Sequence, residues 1–308
     1  MYEGLPENLA YEADELLNSA IMNKLPVVIV EGCDDIPIYE RLALQIGLDC
    51  EVYASEYLLS GKAGCVGVTE HLTTIREGSQ GLDIKPHILG IIDRDARFYR
   101  GELSDDDALL ILNYYSIESH FVSAEAVRFM IESTTRATRH LVTEEDSEKI
   151  FEVIKAELGR LYFFSLEALR NACDSEYDAR FGYGDKIRTI LNSGHEQALE
   201  AVREGLEAFA SEKAVPGGWE GVMSVCKGKW LLEMFLVEVK TQVSRLPSLC
   251  SEGWVTTCQS CLKEVHKNCL YRVAANFDGP QMKQFLMGDL TPPAFNYIRE
   301  RMMGLVHV

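Results

Sequence analysis

The chain has 308 residues, 47% apolar and 25% charged, which excludes a disordered or low-complexity polymer and supplies enough apolar side chain for a sizeable core. Its net charge of −18 excludes a surface that attracts nucleic acid everywhere, so phosphate binding needs local basic clusters, divalent metal or a partner that brings positive charge. No apolar run approaches the roughly 20 residues of a membrane-spanning helix, and residues 1–20 are too acidic for a secretory signal; nine scattered cysteines fit a reducing cytoplasm better than a disulfide framework.

Residues 1–24 read as a lead-in helix, with Leu9, Ala13, Leu16, Leu17, Ala20 and Ile21 at helical spacing. Pro26 interrupts this pattern, and Val27-Val28-Ile29-Val30 follows as a short buried strand of the parallel-sheet type. It ends at Glu31-Gly32, where glycine permits a sharp turn. Pro37 then suits a first helical turn, with Ile38, Leu42 and Ile46 on one face. Residues 51–55 make a second strand and residues 60–64 a glycine-containing loop. Residues 65–77 form a helix with Val66, Leu72 and Ile75 inward. A third strand covers residues 87–92 and ends at Asp93. After a polar loop at 104–107, residues 109–112 and 114–117 suggest a fourth strand ending at Glu118.

Strands alternating with helices predict an α/β unit with a parallel, Rossmann-like sheet over residues 25–122. Residues 123–308 carry mainly helical periodicity, with a loop at 215–221, a cluster at Lys227-Gly228-Lys229, and a cysteine-rich stretch beyond Pro247.

Acids stand directly after the strands: Glu31 after the first, Asp93 and Asp95 after the third, Glu118 after the fourth. A parallel α/β sheet binds ligands outside the carboxyl ends of its strands, so these separated residues are expected at one edge. In an extended segment Asp93 and Asp95 would point the same way. Clustered carboxylates repel one another, and a hard divalent cation such as Mg²⁺ or Mn²⁺ relieves that repulsion. Asp34 and Asp35 by themselves suit an ordinary helix start.

The stretch from Val27 to Asp35 resembles the first toprim motif, a strand followed by Glu-Gly and an acid. Gly90-Ile91-Ile92-Asp93-Arg94-Asp95 resembles the second, and Ile117-Glu118-Ser119 resembles an element of OLD-type toprim nucleases and their DUF4435 relatives. Many toprim domains carry a third Asp where this chain has Arg97, which fits the nuclease branch better than a topoisomerase or primase. The resemblance implies a toprim domain over 25–122 acting as a metal-dependent nuclease on RNA such as tRNA, or on DNA. Glu31, Asp35, Asp93, Asp95 and Glu118 would then hold one or two Mg²⁺ or Mn²⁺ ions. It also implies an ABC-type ATPase partner, as in PARIS-type anti-phage systems, a toxic effector role, and a homodimer. The rival readings are a toprim-fold interaction module without turnover and a small-molecule phosphohydrolase or phosphotransferase.

Lys62, in Gly61-Lys62-Ala63-Gly64, is a candidate phosphate contact, as is Arg94 beside the Asp-x-Asp; Arg97 and Arg100 either do the same or offset Asp105, Asp106 and Asp107. Cys226-Lys227-Gly228-Lys229 opens a helix, where free N–H groups favour anions. Lys227 is a candidate phosphate contact, and Lys229 a candidate stabiliser of transition-state charge. Cys258-x2-Cys261-x4-His266-x2-Cys269, with Cys250 nearby, superficially matches a zinc knuckle but has two residues, not four, before its last cysteine. Positions 258, 261, 265 and 269 also share one helix face, so a core helix is expected here and zinc is not.

Overall fold

The computed structural model describes residues 13–58, 61–192, 194–274 and 277–305. In chain order the first elements are α1 (Ala13–Asn23), β1 (Val27–Val30), α2 (Ile36–Gln45), β2 (Glu51–Ala54), α3 (Gly64–Gly78), β3 (Ile88–Ile92), α4 (Asp95–Arg100) and β4 (Leu109–Ile111). Helices α5 (Ala124–Thr134), α6 (Glu144–Leu158), α7 (Leu161–Cys173), α8 (Ile187–Asn192), α9 (His195–Glu200) and α10 (Arg203–Glu212) follow. The chain closes with α11 (Gly218–Val225), α12 (Gly228–Glu252), α13 (Gln259–Leu262), α14 (Gly279–Leu286) and α15 (Asn296–Met303). The fold is α/β, a parallel sheet with a mainly helical region, as the alternation of strand and helix signals predicts.

The chain divides into two compact units. Unit 1 holds the described residues of Met1–Arg94, Gly101–Asn113 and Pro293–Val308; unit 2 holds Asp95–Arg100 and those of Tyr114–Pro292. This course differs from a single division at residue 122. Two sets of contacts account for it. Asp95 N donates to Tyr115 O, and Arg100 Nη1 to Ala172 O, which ties α4 into unit 2. Asn113 N donates to Tyr297 Oη and Arg301 Nη2 to Asp107 O, which ties the C-terminal segment into unit 1.

Unit 1 is built on a four-stranded sheet of order β2-β1-β3-β4, parallel throughout. β1 and β3 are fully buried, which is why they read as unbroken apolar runs. Successive side chains alternate between faces. Val27, Ile29, Ile88 and Ile92 join Leu16, Leu17 and Ala20 of α1 and Val68, Leu72 and Ile75 of α3 in one core. The connection β1-α2-β2 moves one way across the sheet and β2-α3-β3 moves back past β1, so right-handed crossovers put α2 and α3 on opposite faces. The strand order therefore reverses between β1 and β3, and the crevice beyond their carboxyl ends is the ligand position of such a sheet.

Several local expectations differ from what is observed. Residues 1–12 of the lead-in helix lie outside the described residues, as does Ser60; in α1, Ile21 is 39% exposed and faces outward. In α3, Val66 is 49% exposed, because the inward face runs through 65, 68, 72 and 75. Residues 114–117 are not a strand: Tyr115 N donates to Met223 O, Ser116 O accepts from Ser119 N, and a short 3₁₀ helix (Ile117–Phe121) follows. The loop expected at 215–221 is shorter, since α11 begins at Gly218. α12 continues through Pro247, forfeiting one backbone hydrogen bond there while Leu246 and Cys250 stay buried.

Candidate active site

At the carboxyl end of β1, Glu31 is anchored by its backbone: Glu31 O accepts from Gly64 N at 3.0 Å and from Ser55 Oγ at 3.1 Å. Ser55 is itself positioned by buried His71, whose Nε2 lies 3.0 Å from Ser55 O. The Glu31 side chain turns toward β3, where Oε1 accepts from Asp93 N at 2.8 Å. Gly64 has φ +72°, and a Cβ there would stand 3.8 Å from Glu31 Oε2. Glycine thus lets the loop after β2 turn back beside the glutamate. Asp35 heads α2, and its side chain makes no cap hydrogen bond.

One residue connects these acids, and the sequence pattern did not single it out. Tyr39 of α2 is 3% exposed, and its phenol faces the charges of Asp35, Asp93 and Glu31. Burial first, then Asp35, Asp93, Tyr297 and Glu31, push its pKa well above the ordinary value, so the hydroxyl keeps its proton. Glu31 and Asp93 thus meet through the Asp93 amide at the carboxyl ends of β1 and β3, and Asp35 acts electrostatically on the same buried phenol, although the three carboxylates are not drawn together to within ligand distance of one another. Their donors are all carboxylate oxygens, a set suited to a hard divalent cation.

The remaining candidates sit in other settings. In unit 1, Lys62 is exposed and pairs with Glu70 on α3, Nζ to Oε1 at 2.7 Å. Arg94 Nη1 reaches Asn113 O at 3.3 Å. In the 104–107 loop, Arg76 donates to both Asp106 and Asp107.

In unit 2, Asp95 begins α4 with φ +32°, so the extended geometry that would align it with Asp93 ends at Ile92. Its carboxylate accepts from Arg97 N at 2.6 Å and lies 3.4 Å from Arg97 Nη1. Glu118 Oε2 accepts from Ser116 Oγ at 2.5 Å. A Cβ on Gly228 would stand 1.9 Å from Ser116 Oγ and 3.0 Å from Glu118 Oε2, so only glycine lets the start of α12 approach so closely. The anion that meets this helix N-terminus is thus Glu118. Lys227 donates from Nζ to Tyr183 O at 2.6 Å; burial and then neighbouring Lys229 lower its pKa, against the pull of Glu118. Lys229 is exposed and lines a groove of about 910 Å³ along α12 and α14, together with Arg188, Lys240 and Lys283. Glu233, which pairs with Arg188, and Asp278 line the same groove, so its charge is mixed with bases in excess.

The cysteine-rich segment is not one helix. α13 spans four residues, a 3₁₀ turn covers His266–Asn268, and His266 is exposed. The buried set is Cys250, Cys258, Cys261 and Cys269, which corrects the expected helix face. No helix among the described residues is long and apolar enough to cross a membrane. No protein-family model matches the chain, and no curated protein matches it.

Proposed function

We propose that the chain is a divalent-metal-dependent nuclease of toprim type, hydrolysing phosphodiester bonds of RNA or DNA. The observation that supports this reading is the Glu31 carboxylate held by the Asp93 amide at the carboxyl ends of adjacent parallel strands, with Asp35 also acting on the nearby buried Tyr39. Carboxylates at one sheet edge repel each other unless a cation joins them.

Glu31, Asp35 and Asp93 would hold Mg²⁺ or Mn²⁺, with Asp95 two residues further along the chain. A cation so held supplies Lewis-acid polarisation of a phosphoryl oxygen. The chain's own residues do the rest. The Asp93 amide fixes Glu31, Ser55 and His71 hold its backbone, and protonated Tyr39 supplies a donor to oxygen atoms in the crevice. The motif order adds the toprim, OLD-type and DUF4435 resemblance, and with it an ATPase partner and an anti-phage setting.

The second reading, an interaction module, is favoured by one observation. Glu31 Oε1 is already engaged by a backbone amide, a structural use of the side chain.

Labelled tRNA, plasmid and single-stranded DNA incubated with Mg²⁺ or Mn²⁺ decide between them. Cleavage should fall by about a hundredfold or more in Glu31→Gln, the scale of losing one stabiliser of transition-state charge. Equal cleavage by Glu31→Gln and wild type rejects the site. No cleavage of any polymer, with or without a neighbouring ATPase, moves the reading to the interaction module.

A further inference from the structure

Helix α12 ends at Glu252, with Cys250 in its last turn, and Gly253 (φ +75°) reverses the chain. Cys258 then caps α13, Cys261 lies within it, and Cys269 follows the 3₁₀ turn. These residues come from three separate stretches of backbone, yet their Sγ atoms all lie within 4.8 Å of one another. Cys258 Sγ and Cys269 Sγ are 3.8 Å apart. A tetrahedron of thiolates around zinc, with Zn–S of about 2.3 Å, has edges of about 3.8 Å.

Buried thiols alone are ordinary, since cysteine packs as a small apolar side chain. Three observations separate this cluster from such packing. All four cysteines are buried, at 0%, 1%, 6% and 2% exposure, and all are free of disulfides. A backbone amide is aimed at one sulfur, Cys258 N donating to Cys250 Sγ at 3.3 Å, and the backbone of Leu270 and Cys261 favours the thiolate of Cys258 against its burial. Such donors stabilise thiolates and contribute little to neutral thiols. Finally, the cluster is the centre of a segment with little regular structure, where α13 has four residues and the 3₁₀ turn three.

We propose that Cys250, Cys258, Cys261 and Cys269 form a closed four-cysteine site for one structural zinc ion. Sulfur-only donation selects a soft or borderline metal, and four protein ligands leave no position for a reacting group. Exposed His266 is not a ligand. The site fastens the chain after α12 onto the helices around it. Leu270 O accepts from Arg136 N, Thr134 O accepts from Ala274 N, and the Asp146 carboxylate accepts from Thr256 N. The sequence spacing, seven residues between Cys250 and Cys258 and seven between Cys261 and Cys269, places the two outer ligands symmetrically about Cys258-x2-Cys261.

The test is metal analysis of the full chain purified without added metal, by mass spectrometry of its elemental content. About one zinc per chain is expected. A chelator used with a thiol-modifying reagent should release it, expose four further thiols and lower the thermal unfolding midpoint. His266→Ala should retain the metal, and Cys258→Ser should lose it. Metal-free protein with an unchanged unfolding midpoint in chelator overturns the proposal. Iron in place of zinc, disulfides among these four residues, or zinc lost in His266→Ala overturns it equally. The wild-type stoichiometry decides the matter even if Cys258→Ser does not fold.

Discussion

His120 shows what burial does to one ionisable side chain. It is fully buried, its Nδ1 lies 3.1 Å from Ser116 O, and burial lowers its pKa to about 4 despite backbone hydrogen bonds that favour the charged form. Unfolded, the ring titrates near the ordinary value of about 6.5. Below that pH the unfolded chain takes up a proton that the folded chain refuses until about pH 4. Stability from this residue is therefore complete above about pH 6.5 and lost on acidification toward pH 4, by on the order of 3 kcal/mol. Chemical denaturation of wild type and His120→Gln between pH 7 and pH 4.5 checks this: the wild type should lose more stability than the variant. Parallel losses would contradict it.

At the same scale, Glu31 and Asp93 were legible because a buried strand announces its own end. Four β-branched residues stop at Glu31, and five apolar residues stop at Asp93. Tyr39 was not legible, since a tyrosine beside Ile38 and Leu42 reads as core packing and nothing in the spacing reports which charges its hydroxyl meets. Asp95 misled for a different reason. Two-residue periodicity holds only while the backbone stays extended, and here it becomes helical at once.

Among the elements, the start of α12 carries the tightest local demand. Gly228 backs onto Ser116 and Glu118, with Glu118 Cβ only 3.1 Å from the position a Cβ would take. Gly228→Ala should cost about 1–3 kcal/mol, as overpacking of a filled site does, because the Ser116 hydroxyl can rotate away but the Glu118 stem must shift. Urea unfolding measures it; an unchanged midpoint would show that the helix start has room to move. The helix start at Lys227-Gly228-Lys229 was readable from glycine and charge pattern. What it faces was not, because Glu118 comes from a segment that resembled a strand and forms a 3₁₀ turn. The four-cysteine cluster was hidden similarly. Linear spacing pointed to one buried helix face and gave only a superficial match to a knuckle through His266, and only the reversal after Gly253 brings Cys250 to the set.

For the whole molecule, the C-terminal segment shows how chain order and compact units diverge. Residues 293–305 belong to unit 1, although nearly two hundred residues separate them from Asn113 and Asp107, the partners of Tyr297 and Arg301. Phe295, Ile298, Met302 and Leu305 are all at most 1% exposed. At about 1.5–3 kcal/mol for each buried side chain, their removal costs on the order of 6–12 kcal/mol. That rivals the total stability of an ordinary domain, about 5–15 kcal/mol. A chain ending at Pro292 should therefore fail to fold unit 1, seen as loss of a cooperative thermal transition. A truncated chain with the wild-type midpoint would contradict this. Nothing in the helical periodicity of α15 announces which unit it joins, because an amphipathic face does not name its partner.

The acidity of the molecule also bears on function, since at −18 a polyanion is repelled except at local basic groups. A divalent cation at the β1/β3 crevice would lower that barrier where the three carboxylates stand. Mn²⁺ binding, followed by the electron paramagnetic resonance signal of the free ion, tests this directly in wild type and in the double variant Glu31→Gln, Asp93→Asn. Wild type should take up Mn²⁺ saturably, with Mg²⁺ competing, and uptake should be abolished in the double variant while its folding transition persists. Equal Mn²⁺ uptake by the two proteins would contradict a metal centre at Glu31 and Asp93.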